Sequence, residues 1–214
     1  SLLSNEIIRV SLPLGFQYVV SVTTWLVFFI LLESRGQTAK AVSNTMRNVF
    51  GMSGVFIWAF ASACNNMVSN IIGQGKQTEV LKLVRMIMMW SMLFTAIMVI
   101  TLNVFPHLFF SLFGQGEHFV QEGTSVIRMV SLGMIFMSMA NVWLNAVTGT
   151  GRTRVNLLIE IVAIILYMVY TWYFMKVNYI SLAVAWSNEF IYWLSVLGMS
   201  YWYMRSGKWK QSVT

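Results

Sequence analysis

The sequence predicts an all-α membrane protein, a bundle of six transmembrane helices. Three observations carry that prediction. Hydrophobic residues make up 57% of the 214 and charged residues only 10%, against about 25% charged in an ordinary soluble domain. So few charges could not cover the surface of a soluble fold of this size. The charges are also bunched, and they leave uncharged runs at 12–32, 48–75, 86–116, 129–151, 161–175 and 190–204. Runs of this length and apolarity cross a hydrocarbon layer as helices, because every backbone polar group must be satisfied within the segment. Finally, short segments rich in glycine and charge punctuate the runs.

The six helices are expected at 9–33, 40–72, 79–105, 121–148, 152–176 and 179–204. In the first, Pro13 falls within the opening turns, where a missing N–H costs little. The second is long for a hydrocarbon layer of about 30 Å and should tilt or project. Pro106 ends the third, and the following "LFFSLF" at 108–113 reads as a short interfacial element. Glu160 and Glu189 interrupt the fifth and sixth, which are otherwise continuous apolar segments. Turns are expected at Arg35-Gly36, Gly73-Gln74-Gly75-Lys76, Gly114-Gln115-Gly116 and Gly149-Thr150-Gly151.

Basic residues set the expected orientation. Six spans put the N-terminus, the second and fourth loops and the C-terminus on one side. That side holds Arg9, Lys76, Lys82, Arg85, Arg152, Arg154, Arg205, Lys208 and Lys210, nine of the 14 Lys and Arg. The opposite loops hold Arg35, Lys40, Arg128 and Lys176. By the positive-inside rule both termini are cytoplasmic, in a multi-pass protein of the plasma (inner) membrane. The net charge of +7 therefore implies anionic membrane lipid as a partner and excludes nucleic acid as one. Trp172, Tyr173, Tyr179, Tyr201, Trp202, Tyr203 and Trp209 sit at helix ends and read as interfacial anchors.

The turn "TGTGR" is no phosphate loop, since GK[ST] and a preceding strand are both missing. Enzyme chemistry is poorly supported on similar grounds, an intramembrane transferase being the alternative left open. The sequence has no Asp, and His107 and His118 lie together in one outer connection. No metal set, nucleophile triad or paired carboxylates can be assembled. The reading is therefore of a protein that is no enzyme and needs no cofactor and no metal. Cys64, the single cysteine, lies within a span and can form no intrachain disulfide. The chain begins at Ser1 and reads as part of a longer protein. A weak internal echo links "SNIIGQGKQTEVLKLVRM" and "NAVTGTGRTRVNLLIEI", each with small residues, Gly-x-Gly and a basic residue.

These passages resemble the multidrug and toxic-compound extrusion (MATE) family of secondary transporters. "AKAVSNTMRNVFGMSGVFIWAFASACNNMVSNIIGQGKQTEVLKL" is similar to the family's long eighth helix, "NAVTGTGRTRV" to the exit of its tenth, and "SLPLGFQYVV" to the Leu-Pro opening of its seventh. The resemblance runs from about Glu6 to Tyr203. It implies half of a twelve-helix, two-lobe transporter: the chain would be the C-terminal lobe, partnered by an N-terminal lobe of the same polypeptide. It further implies export of an amphipathic or cationic small-molecule substrate through a cleft between the lobes, driven by H+ or Na+. A lipid-linked oligosaccharide flippase of the same superfamily is an alternative reading, and a non-transporting membrane assembly subunit is another. Cation-coupled members often carry a glutamate in the seventh helix and an aspartate in the tenth. Here Ser21 and Met139 stand at those positions, which puts that ion site in doubt.

Several residues are candidates for function. Asn44 and Asn48 share one helix face, as do Asn141 and Asn145, each pair being i,i+4. In hydrocarbon such groups face protein or a water-filled cavity, so they either bond between helices or line the cleft, as do Asn65 and Asn66. The resemblance implies the cleft, with Trp25, Phe56, Trp143 and Met137 as an apolar, polarisable wall. Glu189 is placed mid-helix, about 15 Å from the start of its span at 1.5 Å per residue. A buried charge there is costly. It reads as an ion-coupling site, as a partner of Arg47, or as a protonated group bonded to a neighbouring helix. Glu160 reads as an ion-coupling or helix-pairing residue, and Arg47 as a buried charge or a group that snorkels outward.

Overall fold

The computed structural model describes residues 2–33, 36–113, 116–176 and 180–212. The expected turn residues Arg35, Gly114 and Gln115, and Tyr179 at the expected start of the last span, lie outside the described residues. Eight α-helices are present among the described residues: α1 (Leu2–Glu33), α2 (Gln37–Gly73), α3 (Val80–Val104), α4 (Pro106–Ser111), α5 (Glu117–Gly149), α6 (Thr153–Lys176), α7 (Leu182–Ala185) and α8 (Asn188–Ser206). Single 3-10 turns at Gln77–Glu79 and Lys208–Ser212 complete the order. Among the described residues, five segments are long and apolar enough to cross a membrane: Gly15–Leu32, Gln37–Gly73, Gln77–Val104, Glu117–Gly149 and Thr153–Met175.

Helix ends follow the glycines. At the end of α2, Gly75 takes φ +76°, and the N–H groups of Gly75 and Lys76 bond back to the carbonyls of Ile72 (2.9 Å) and Ile71 (3.0 Å). This double closure is the Schellman motif, which needs a left-handed residue that glycine supplies without a Cβ clash. Gly151 takes the same left-handed conformation after α5, with φ +79°, and makes one of the two bonds, its N–H lying 2.9 Å from the Thr148 carbonyl. The repeated Gly-x-Gly of the sequence is thus one helix stop used twice. The first glycine of the second copy has another task. A Cβ on Gly149 would stand 2.7 Å from the Asn65 carbonyl, and Ser69 Oγ donates to the Gly149 carbonyl at 2.9 Å. Glycine here lets α5 and α2 touch backbone to backbone.

The expected short element after Pro106 is α4, with the proline in its first turn, where its missing N–H is not needed. Two expectations are corrected. Because α1 starts at Leu2, Pro13 lies in the helix interior, where it withdraws one hydrogen bond from the ladder. The last span is not one helix over 179–204. It is split between Ala185 and Asn188, and the side chains at the break are tied both locally and to other helices. Ser187 Oγ donates to the Val184 carbonyl at 2.6 Å, Asn188 Nδ2 reaches Thr171 Oγ1 at 3.1 Å, and Trp186 Nε1 reaches Ser43 Oγ at 3.4 Å.

The most enclosed helix is α5. It packs against α2, α8 and α3, while α6 joins α8 to α1 on the far side. One apolar core gathers Phe28, Met46, Phe50, Ile127 and Met134 around Trp186. A second gathers Cys64, Val68, Val84, Trp143 and Val147, closed by Met204 and Trp209. Trp209, expected as an interfacial anchor, is 1% exposed, and its Nε1 donates to the Met204 carbonyl at 2.8 Å. By contrast Trp172 and Trp202 face outward as expected.

Candidate ion-coupling site

Glu160 is the polar centre of the α1–α6–α8 side. It lies on α6 and is 5% exposed. Helix α1 presents Gln17 and Ser21, one turn apart on the same face. Gln17 Nε2 donates to Glu160 Oε1 at 3.2 Å, and Ser21 Oγ lies 3.5 Å from Oε2. From α8, the Tyr192 hydroxyl donates to the same Oε2. Three neutral donors from two neighbouring helices therefore converge on one buried carboxyl. Such bonds to a charged acceptor are the stronger kind, so the group ties three helices at one point.

A row of polar contacts continues along the α6–α8 seam. Asn188 bonds Thr171, and the Tyr170 hydroxyl lies 2.7 Å from Ser187 Oγ. Pairings 160–192 and 171–188 run in opposite chain directions, so the two helices are antiparallel. Between them lies Tyr167, 4% exposed, its ring 5.9 Å from that of Tyr192. Its hydroxyl and Asn188 Oδ1 are both enclosed without a hydrogen bond of full geometry.

Glu189 is not the mid-helix residue the sequence predicts. The break makes it a first-turn residue of α8, where the exposed N–H ends of the helix favour negative charge. It is 5% exposed, its Oε2 accepts from Trp193 Nε1 at 3.0 Å, and its Cβ packs over Gly133 of α5. Arg47 is no partner for it. That side chain is exposed, with its guanidinium 5.8 Å from the centre of the Phe29 ring.

The expected cleft residues separate into four groups. Asn44 and Asn48 line an open hollow of about 540 Å³ with Gln37, Lys40 and His118. Phe56 is 50% exposed, and Trp25 is half-buried with its ring 4.6 Å from Phe29. Trp143 and Met137 are core residues instead, 2% and 3% exposed. The Trp143 indole N–H meets Met88 Sδ at 3.1 Å and its ring stands 4.9 Å from Tyr201. Asn141 and Asn145 donate to the carbonyls one turn back, Met137 at 3.1 Å and Asn141 at 3.0 Å, rather than across helices. Sequence reasoning missed Gln17 and Tyr192. The signal for the first was there: Gln17 and Ser21 form an i,i+4 polar pair in an otherwise apolar run.

Comparison with known proteins places this geometry. The MatE family model matches residues 13–173. The chain is 24% identical over 160 residues to a probable multidrug resistance protein, NorM, of Thermotoga maritima, covering 75% of this chain and 34% of that protein. A mutant of the Vibrio cholerae MATE transporter VcmN superposes with a TM-score of 0.90 at 14% identity, over all of this chain and 50% of that one. An outward-facing multidrug resistance MATE family transporter of the MOP superfamily superposes at 0.83 with 16% identity, over 95% and 45%. The chain thus spans about a third of the first relative and about half of each solved structure.

Proposed function

The chain belongs to the MatE family, and from that premise we propose that it is the C-terminal six-helix lobe of a two-lobe secondary antiporter. The complete protein exports amphipathic, often cationic compounds in exchange for H+ or Na+. One observation carries this reading: two carboxyls, Glu160 and Glu189, are each 5% exposed inside an apolar bundle and are bonded by neutral donors. A carboxylate in such surroundings is costly unless a cation joins it, so the lobe's interior favours an exchangeable positive charge. The substrate approaches on the other face, where Asn44, Asn48 and the exposed Phe56 of α2 are accessible. The N-terminal lobe completes the cleft, and both termini lie in the cytoplasm.

The test is transport by the complete polypeptide in proteoliposomes. An imposed H+ or Na+ gradient should drive a fluorescent organic cation against its own gradient. Movement of a lipid-linked oligosaccharide with no gradient-driven movement of organic cations would favour flippase activity instead. A single cysteine at Lys76 should react with an impermeant reagent only from the inside, and outside labelling of intact cells would reverse the orientation.

A further inference from the structure

We propose that Glu160 is a proton-binding site of this lobe, and that Tyr192 transmits its protonation state to α8. The proposal rests on the antiporter reading above and assigns the coupling ion and its residue. Glu160 is the one described carboxyl held jointly by two other helices: Gln17 and Ser21 from α1, Tyr192 from α8. The coordinating groups are an amide and two hydroxyls, all able to donate. As placed, all three donate to the carboxyl, which suits a group that gains and loses a proton, and the Na+ arm of the test below separates a proton from a metal cation.

Both protonation states can be satisfied at this site. The carboxylate accepts all three donors as observed. Protonation forms one O–H bond on a Glu160 oxygen and removes its charge, and that oxygen then needs an acceptor. Gln17 Oε1 is enclosed and without a hydrogen bond in the observed arrangement. Rotation of the Gln17 amide exchanges its N–H for this oxygen and receives the new O–H. The proton comes from water on one side of the membrane and returns to water on the other. Tyr167 and Asn188, whose enclosed oxygens lack full hydrogen bonds, extend the polar row from Glu160 to the α7–α8 break and mark its route.

The neighbouring charges leave Glu160 as the group that responds. Tyr192 and, one turn earlier, Glu189 face it from α8, and Tyr167 lies two turns along α6. Arg154, in the first turn of α6, is itself exposed. Helix α1 carries Arg9, two turns before Gln17. The ionisable residues of α5 are confined to 117–128, more than one helical turn before Gly133, which packs on Glu189 of α8, and α7 carries none. Glu189 is placed differently: it lies in the first turn of α8, bonds Trp193 within its own helix and reaches Trp25 of α1, but has no bond to α6 among the described residues. Its bond therefore survives any displacement of α8 relative to α6, whereas the Tyr192–Glu160 bond does not.

Infrared difference spectra of the complete polypeptide, alkaline minus acid, test the assignment. The wild type should show a carboxylic-acid carbonyl band that shifts in heavy water. Glu160→Gln should lose the band, and Glu189→Gln should retain it. Tyr192→Phe, which keeps the carboxyl, should shift the band upward in frequency because one hydrogen bond is lost. Persistence of the band in Glu160→Gln overturns the proposal. So does its removal by Na+ at constant pH, which would make the ion sodium. If Glu160→Gln fails to fold, an unshifted band in both Tyr192→Phe and Ser21→Ala overturns it equally. Absence of any gradient-driven export by the wild type would count against the antiporter reading itself. Export driven by H+ with a band that ignores Glu160 would sink only this assignment.

Discussion

The α2–α5 seam and the α6–α8 seam handle buried polar atoms in opposite ways. Along α2–α5, glycine brings two backbones together at Gly149, and the α5 amides of Asn141 and Asn145 bond to their own helix. These amides carry their partners with them, and the Ser69–Gly149 bond that does cross the seam joins no ionisable group, so this seam is indifferent to charge. Along α6–α8 the bonds cross between helices, at Thr171–Asn188, Tyr170–Ser187 and Glu160–Tyr192. Here a change in protonation or position at one helix must be felt at the other. One seam is built to hold, the other to respond.

That contrast can be broken most forcefully at the α7–α8 break. Trp186→Ala removes a fully buried ring that stacks on Phe50 at 5.8 Å and meets Phe28 edge-on at 5.3 Å. It should cost about 3–5 kcal/mol, read as a lowered unfolding midpoint in detergent. A loss below about 1 kcal/mol would mean that the break is not held by this anchor.

Next come two glycines of α5. Gly149→Ala pushes a methyl into the Asn65 carbonyl and should destabilise by about 1–3 kcal/mol. Gly133→Ala meets only an ordinary contact, 3.5 Å from Glu189 Cβ. Relief of the helix penalty of glycine should make it neutral or stabilising by about 0.4–1 kcal/mol. The reverse order of stabilities would show that close approach belongs to the α5–α8 contact instead.

The smallest effects separate crossing bonds from internal ones. A double-mutant cycle of Asn188→Ala with Thr171→Val should give a coupling of about 0.6 kcal/mol. Asn145→Ala paired with any change on α2 should show coupling near zero, since its amide serves its own helix. Equal couplings in the two cycles would erase the distinction between the seams.

The sequence by itself determined the helical bundle and its punctuation. Uncharged runs between glycine-rich segments demand helices in hydrocarbon, whatever the neighbours. Gly75 and Gly151 end theirs because a left-handed residue closes a helix locally, and the short element after Pro106 is equally local. The candidate site was only half legible. Glu160 and Glu189 stood out as charges in apolar runs, but their roles did not. The tertiary structure decided that Glu160 meets Gln17, Ser21 and Tyr192, and that Trp143 lies in the core rather than on an accessible face. It also decided that the last span breaks, which turns Glu189 from a mid-helix charge into a first-turn one. Ser43, Tyr170 and Thr171, the side chains that hold this break, lie on α2 and α6. Their pull on Trp186, Ser187 and Asn188 acts through space, and no periodicity within the last span records it.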